Sequence, residues 1–242
     1  MSTQQSGKIK GVVDIVFLID VTGSMQHCID ALKSNISSFI DTLTTKSVNN
    51  DAPVKHWRAK CVGFRDYKCD KVPFVDAPFV EDADVLRAQL SALHAEGGGD
   101  EPESLLDGLH RVATMQAAEK GSDTLDPSKW RYRSEAARVV VAFTDASYHP
   151  VMTEPAGGTV DEVINAIHSN RILLSLFAPE MECYHILGEA DKSEYNAISF
   201  DSGSPTGAQD ALVAFTRDGT NFRKTLEMLA KSVSASANTE AL

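Results

Sequence analysis

The segment Val12–Val13–Asp14–Ile15–Val16–Phe17–Leu18–Ile19 is a nearly unbroken apolar run that ends at Asp20. It is too short for a typical helix and rich in β-branched residues, so it reads as a strand buried on both faces. Strands of that kind lie centrally in parallel sheets, where crossover helices cover both surfaces. The chain is thereby committed to alternate strands with helices. A small polar turn, Val21–Thr22–Gly23–Ser24, follows the run. Beyond it Ile29, Leu32, Ile36, Phe39, Ile40 and Leu43 recur at helical spacing.

The alternation continues. Trp57–Phe64 reads as a second strand, and Phe74–Val75 with Phe79–Val80 as a short edge strand whose pairing Pro73 and Pro78 restrict. Asp84–Leu90 reads as a helix. Gly97–Gly98–Gly99 breaks that pattern, and Pro102 is expected in the first turn of the next helix, whose stripe is Leu105, Leu106, Leu109, Val112 and Met115. Residues 119–136 are a polar surface excursion. Val139–Phe143 is a second fully apolar strand, ending at Thr144–Asp145. A helix over Val160–His168, a strand over Ile172–Phe177, a helical stretch over Glu182–Leu187, a strand over Asn196–Phe200 and a helix over Asn221–Ala230 complete the pattern. Strands alternating with helices imply an α/β, Rossmann-like, mostly parallel sheet with helices on both faces. One domain over 11–234 is expected, with flexible ends at 1–10 and 235–242.

Charge narrows the function. The chain carries 34 acidic against 23 basic residues, a formal net charge of −11. That balance opposes general nucleic-acid binding, which needs clustered Lys and Arg. It leaves carboxylates free for a hard cation. The polar start (Ser2, Thr3, Gln4, Gln5, Ser6) has no apolar core of a signal peptide, and no apolar run reaches bilayer length. Cys28, Cys61, Cys69 and Cys183 form no CxxC pair and read as reduced thiols in a cytoplasmic protein. A zinc site on Cys61 and Cys69 lacks a second ligand pair.

In an open α/β sheet, ligands bind beyond the carboxyl ends of the strands. Three polar clusters are placed there: Asp20–Ser24, Gly97–Glu103 and Thr144–Asp145. Two carboxylates ending adjacent apolar strands repel one another in a partly dry cleft. A divalent cation removes that repulsion, and carboxylate and hydroxyl oxygens suit Mg²⁺ or Ca²⁺. Hydroxyls two and four residues beyond Asp20 can point into the same turn. Capping is the competing explanation: Ser24 for the first helix, and Asp100 with Glu103 as a capping box before Pro102. Capping leaves Asp145, at the end of a separate buried strand, unexplained.

Asp20-Val21-Thr22-Gly23-Ser24 after a buried strand resembles the opening Asp-x-Ser/Thr-x-Ser motif of von Willebrand factor type A domains, part of their metal-ion-dependent adhesion site. Thr144-Asp145 is similar to the strand-end aspartate of that family. Gly97-Gly98-Gly99-Asp100-Glu101-Pro102-Glu103 resembles a subgroup with Gly-Gly-Gly-Asp-x-Pro-Glu where other members place a threonine. The resemblance implies a six-stranded sheet carrying Mg²⁺, Mn²⁺ or Ca²⁺ that binds partner proteins. By position it implies Asp20, Thr22, Ser24, Asp100 and Asp145 as ligands, with Asp100 replacing a hydroxyl by a carboxylate. Stand-alone members of the subgroup occur in bacterial stress and conflict systems.

The expected function is therefore a cytoplasmic protein-binding module, not an enzyme, whose ion accepts an Asp or Glu of the partner. Neither nucleic acid nor membrane is an expected partner. The alternative is a Mg²⁺-dependent phosphoryl-transfer enzyme of haloacid dehalogenase type with Asp20 as nucleophile. It wants Asp at position 22, where Thr22 stands. Arg65 and Asp66 are placed on the same rim, as a surface ion pair or as support for the site. His27 and His149 are expected to be exposed. Tyr67, Tyr148 and Trp130 are either a recognition rim or ordinary packing.

Overall fold

A computed structural model describes residues 11–45, 53–99, 101–204 and 206–238. It holds one six-stranded sheet in the order β3-β2-β1-β4-β5-β6. The strands are β1 (Val12–Asp20), β2 (His56–Phe64), β3 (Phe74–Asp76), β4 (Ala137–Phe143), β5 (Ile172–Pro179) and β6 (Glu194–Ile198). All neighbours are parallel except β3, which runs antiparallel to β2 at the edge. Pro73 and Pro78 flank that three-residue strand, as expected where a proline cannot donate to a ladder.

Every residue of β1 and β4 is buried, because helices cover both faces. Val13, Ile15, Phe17 and Ile19 point to one layer, formed by α1 (Gln26–Thr45), α2 (Ala83–Ala92), α6 (Gly207–Arg217) and α7 (Gly219–Asn238). Val16 and Leu18 point to the other, formed by α3 (Leu105–Ala113), α4 (Val160–Asn170) and α5 (Glu182–Gly188). Strand alternation thus divides one apolar run between two cores.

Four local differences from expectation have physical causes. First, Pro102 does not open α3: Ser104 is the N-cap, and the Glu101–Pro102 peptide is cis. Glu103 is not a capping-box partner. Its backbone N–H donates to the Ser147 carbonyl at 2.8 Å and its carbonyl accepts from the His149 N–H at 2.9 Å. A backbone held in that bridge is extended and cannot enter a helix. Second, Ser24 does not cap α1. It lies within a 3₁₀ turn, Gly23–Met25, for which Thr22 occupies the N-cap position. Third, α6 carries Ala208, Leu212 and Thr216 as its buried row, a stripe too weakly apolar to stand out in the sequence. Fourth, α7 runs through Asn238 with Ala237 fully buried, so 235–238 are not a tail. The Ala237 carbonyl accepts from the Gly11 N–H at 3.1 Å, tying the helix end to the start of β1.

Candidate functional site

β1 and β4 are adjacent and parallel, and Ile19 pairs in register with Phe143. Their carboxyl ends therefore deliver Asp20 and Thr144–Asp145 side by side. Asp20 has no exposed surface. Its Oδ1 accepts from the Thr22 N–H at 2.9 Å and the Thr22 hydroxyl at 2.7 Å, an Asx-type turn that folds the loop back on the strand end. Its Oδ2 accepts from the Thr144 hydroxyl at 2.8 Å. Asp145 is also buried; Ser24 hydrogen-bonds its carboxyl, but its Oδ1 has no partner. Asp20, Thr22, Ser24 and Asp145 thus converge. Asp100 lies outside the described residues.

A further acidic residue joins them. Glu103, at the end of the glycine loop, is 4% exposed, and its Oε2 has no hydrogen-bond partner. The loop closes tightly around it. A Cβ on Gly98, which has φ +91°, would lie 2.7 Å from Glu103 Oε1 and 2.7 Å from Thr22 Cβ. Position 98 therefore admits only glycine, on conformational and steric grounds together. The loop is also anchored to the strand end, since the Glu96 N–H donates to the Val21 carbonyl at 3.0 Å. Glu103 reads in the sequence as a helix cap. The signal that identifies it is visible only once its backbone is seen bridged to residues 147–149.

The electrostatics are those of crowded, buried acids. Burial first, and the Asp145 charge second, push the Asp20 carboxyl from 3.8 up to about 7, against the hydrogen bonds from Thr22 and Thr144. Burial also raises Asp145, with the Ser24 hydrogen bond opposing it. Burial, then Asp20, Asp66, Asp70 and Asp145, push Glu103 from 4.5 up to about 9. Among the described residues no Lys or Arg forms an ion pair with Asp20, Asp145 or Glu103. Nor do three His, Cys, Asp or Glu side chains form a ligand group by themselves. The donor set is mixed, carboxylates with the hydroxyls of Thr22 and Ser24, and hard oxygen donors of this kind suit Mg²⁺ or Ca²⁺.

The surrounding residues differ from expectation. Arg65 and Asp66 are buried and do not pair with each other. Arg65 donates to the carbonyls of Val21, Val72 and His94 and pairs with Glu96, so it clamps the loops beneath the site. His149 is buried, not exposed. Its Nδ1 lies 2.9 Å from Lys68 Nζ and its Nε2 3.0 Å from Asp66 Oδ1. An ammonium only donates, so the network assigns Nδ1 as acceptor and Nε2–H as donor to Asp66. Burial raises the Asp66 carboxyl, but hydrogen bonds from the Cys69 thiol, the Lys68 N–H and His149 outweigh it and leave the group lowered. Trp130 is fully buried, with Nε1 donating to the Val112 carbonyl at 2.9 Å. Tyr148 is buried too, its hydroxyl on the Cys183 carbonyl, while Tyr67 is half-buried. These two burials exclude a rim built on Trp130 and Tyr148. His27 is exposed.

With strand-end acids, serine–threonine turn and glycine loop in place, comparison with known families becomes informative. Residues 14–124 match the von Willebrand factor A domain family. Thr144 and Asp145 lie beyond the matched segment, and the pairing of β1 with β4 alone brings them beside Asp20. The chain is 28% identical over 95 residues, 39% of its length, to the putative ariadne-like RING finger protein R811 of Acanthamoeba polyphaga mimivirus. It is 28% identical over 137 residues, 57% of its length, to the alpha-protein kinase vwkA of Dictyostelium discoideum. It spans only 9% and 19% of those two proteins. Among solved structures, proximal thread matrix protein 1 of the mussel byssus superposes with a TM-score of 0.51 at 13% identity, covering 96% of this chain and 49% of that one. The pilus adhesin SpaC of Lactobacillus rhamnosus GG gives 0.49 at 12% identity over 90% of this chain and 31% of its own. The likeness to the byssus protein shows a shared fold alone.

Proposed function

We propose that this chain is a protein-interaction module of the von Willebrand factor A type that binds through a divalent cation. Asp20, Thr22, Ser24 and Asp145 would hold the ion, Glu103 would face it, and Asp100 would be a further ligand from the glycine loop. The observation that carries the reading is the set of buried carboxylates Asp20, Asp145 and Glu103, with no cation paired to them and two oxygens left without a partner. An unsatisfied buried acceptor costs about 1–3 kcal/mol. One Mg²⁺, or Mn²⁺ or Ca²⁺, satisfies those oxygens and offsets the repulsion together. When bound, such an ion would supply a Lewis-acidic centre able to attract an Asp or Glu of the partner.

Four free cysteines fit a cytoplasmic setting, and no described helix is long and apolar enough to cross a membrane. A net charge of −11 disfavours nucleic acid as partner. No observation favours the phosphoryl-transfer alternative: position 22, where that chemistry wants an aspartate, holds Thr22, whose hydroxyl donates to Asp20. Hydrolysis of an aryl phosphate that Asp20→Asn abolishes would reverse that judgement.

The deciding experiment is a pull-down from the native host in Mg²⁺ and in EDTA, followed by Asp→Ala and Glu→Ala changes on the captured partner. One such change, EDTA, and Asp20→Asn should each abolish binding to a similar degree. Undiminished capture in EDTA would leave a metal-independent scaffold in place of the bridge.

A further inference from the structure

On β2, Arg58, Lys60 and Val62 face the α3 layer, and Lys60 is only 1% exposed. Burying an ammonium is costly, and a Leu or Met would pack there without that cost. Lys60 Nζ pairs with the carboxylate of Asp76, which is itself 40% exposed. It also lies 3.7 Å from Met115 Sδ. Across the gap, from the last turn of α3, the Arg111 guanidinium stacks 4.2 Å above the Phe74 ring and hydrogen-bonds the Tyr67 hydroxyl. Between these groups is a cleft of about 190 Å³, with Phe74, Val112 and Met115 among its walls.

We propose that this cleft binds a small organic carboxylate. Of the charged groups that line the cleft two are cations, Lys60 and Arg111, and one is a carboxylate, Asp76, in a chain of net charge −11. A single excess charge matches a monoanion, and the planar guanidinium offers paired N–H groups to the two oxygens of a carboxylate. The apolar walls take the rest of the molecule. At about 30 Å³ per water the cleft holds roughly six waters, so the ligand has on the order of ten non-hydrogen atoms or fewer. The cleft is separate from the acidic site: Lys60 lies four residues before Phe64, about 13 Å back along the strand.

The test uses benzoate as the probe and neutral benzamide as the control, titrated into the full chain by calorimetry in EDTA. Benzoate should bind saturably, benzamide should not, and Arg111→Gln should weaken benzoate at least about tenfold, as loss of a charge-assisted pair implies. Arg111 is exposed, so that variant keeps its fold; Lys60→Met is a second variant, expected to lose binding as well. Equal binding of benzoate and benzamide, equal affinity in wild type and Arg111→Gln, or no benzoate binding would overturn the proposal. So would benzoate binding that needs Mg²⁺ and is lost in Asp20→Asn, which would place the carboxylate on the cation site. Failure of the metal reading leaves the EDTA titration unchanged, so the two proposals stand or fall separately.

Discussion

The two ends of β1 each bury an aspartate and treat it in opposite ways. At the amino end, Asp14 is fully enclosed and accepts from Arg58 Nε at 3.1 Å, Arg58 Nη2 at 2.6 Å, Arg131 Nη1 at 2.7 Å and the Arg131 backbone N–H at 2.7 Å. Arg138 then donates to the Arg131 carbonyl, closing the network. At the carboxyl end, Asp20 sits beside Asp145 and Glu103 with hydroxyls for company and no cation. Buried charge is tolerated when it is paired and saturated with hydrogen bonds. The amino end meets that condition with its own side chains. The carboxyl end meets it by holding protons, or by taking a cation from outside. One end is saturated by its own side chains, and the other keeps two buried acceptor oxygens without a partner.

The largest effect expected from this contrast is at the amino end. Asp14→Asn removes the charge that Arg58 and Arg131 share, leaving the buried Arg58 guanidinium without a carboxylate and Arg131 with only the exposed Glu81. Breaking such a pair costs about 3–5 kcal/mol. The loss should be the same in Mg²⁺ and in EDTA by thermal or urea unfolding. A loss confined to EDTA would mean that the two ends are not independent.

At the other end the sign reverses. Asp20→Asn keeps an oxygen for the two Thr22 donors, and its amide can donate to Thr144. It removes one of the crowded charges, so without metal it should melt no lower than wild type. Wild type should gain about 2.7 kcal/mol when Mg²⁺ stands at 100 times its Kd. The variant should gain none. Equal Mg²⁺-induced shifts in the two proteins would place the ion elsewhere.

The same contrast explains what could be read in the sequence. β1 and β4 are legible because burial on both faces leaves an apolar run with nothing else to become. Asp20, Thr22, Ser24 and Asp145 are legible because they directly follow those runs. Asp14 is hidden inside one of them: a single acid among apolar residues reveals nothing until Arg131, 117 residues away, is seen to reach it. Arg131 and Trp130 lie in a stretch that reads as surface excursion, and long-range contacts turn them inward. Glu103 is misread because Ser or Asp followed by Glu near a proline looks like a helix start. Only the pairing of its main chain with 147–149 moves it from cap to site. α6 lacks a strong stripe and borrows its stability from the layer it joins.

A smaller effect concerns pH. In EDTA, Asp20 holds its proton up to about 7 and Glu103 up to about 9, whereas the unfolded groups release theirs near 3.8 and 4.5. Between those limits the folded state binds more protons than the unfolded one, so stability falls as pH rises. The contribution is fully present below about pH 4 and fully lost above about pH 9. On the proposed reading a cation would take the place of the protons, so Mg²⁺ should flatten the slope and bind more tightly as pH rises. Melting curves from pH 5 to 9, with and without Mg²⁺, read both trends, and parallel curves would show that metal and protons do not compete for these oxygens.

The smallest effect, and the finest test of how the carboxyl end is built, is at Asp100. The site residues that converge supply two hydroxyls and the acids Asp20, Asp145 and Glu103. If Asp100 also reaches the ion, Asp100→Ala removes both a charge and an oxygen, while Asp100→Thr removes the charge and returns a hydroxyl. Mg²⁺ affinity should then fall in the order wild type, Asp100→Thr, Asp100→Ala, with steps of a few-fold each, because a charged ligand contributes more than a neutral one. On the same supposition metal-free stability should move the other way, since each variant would then relieve one like charge near Asp20 and Asp145. The two trends together separate a ligand from a cap. A cap would lose stability in Asp100→Ala with or without metal, and all three proteins would titrate Mg²⁺ alike. That outcome would leave Glu103 as the loop's contribution to the site and would confine the contrast between the two ends of β1 to the acids already seen to meet.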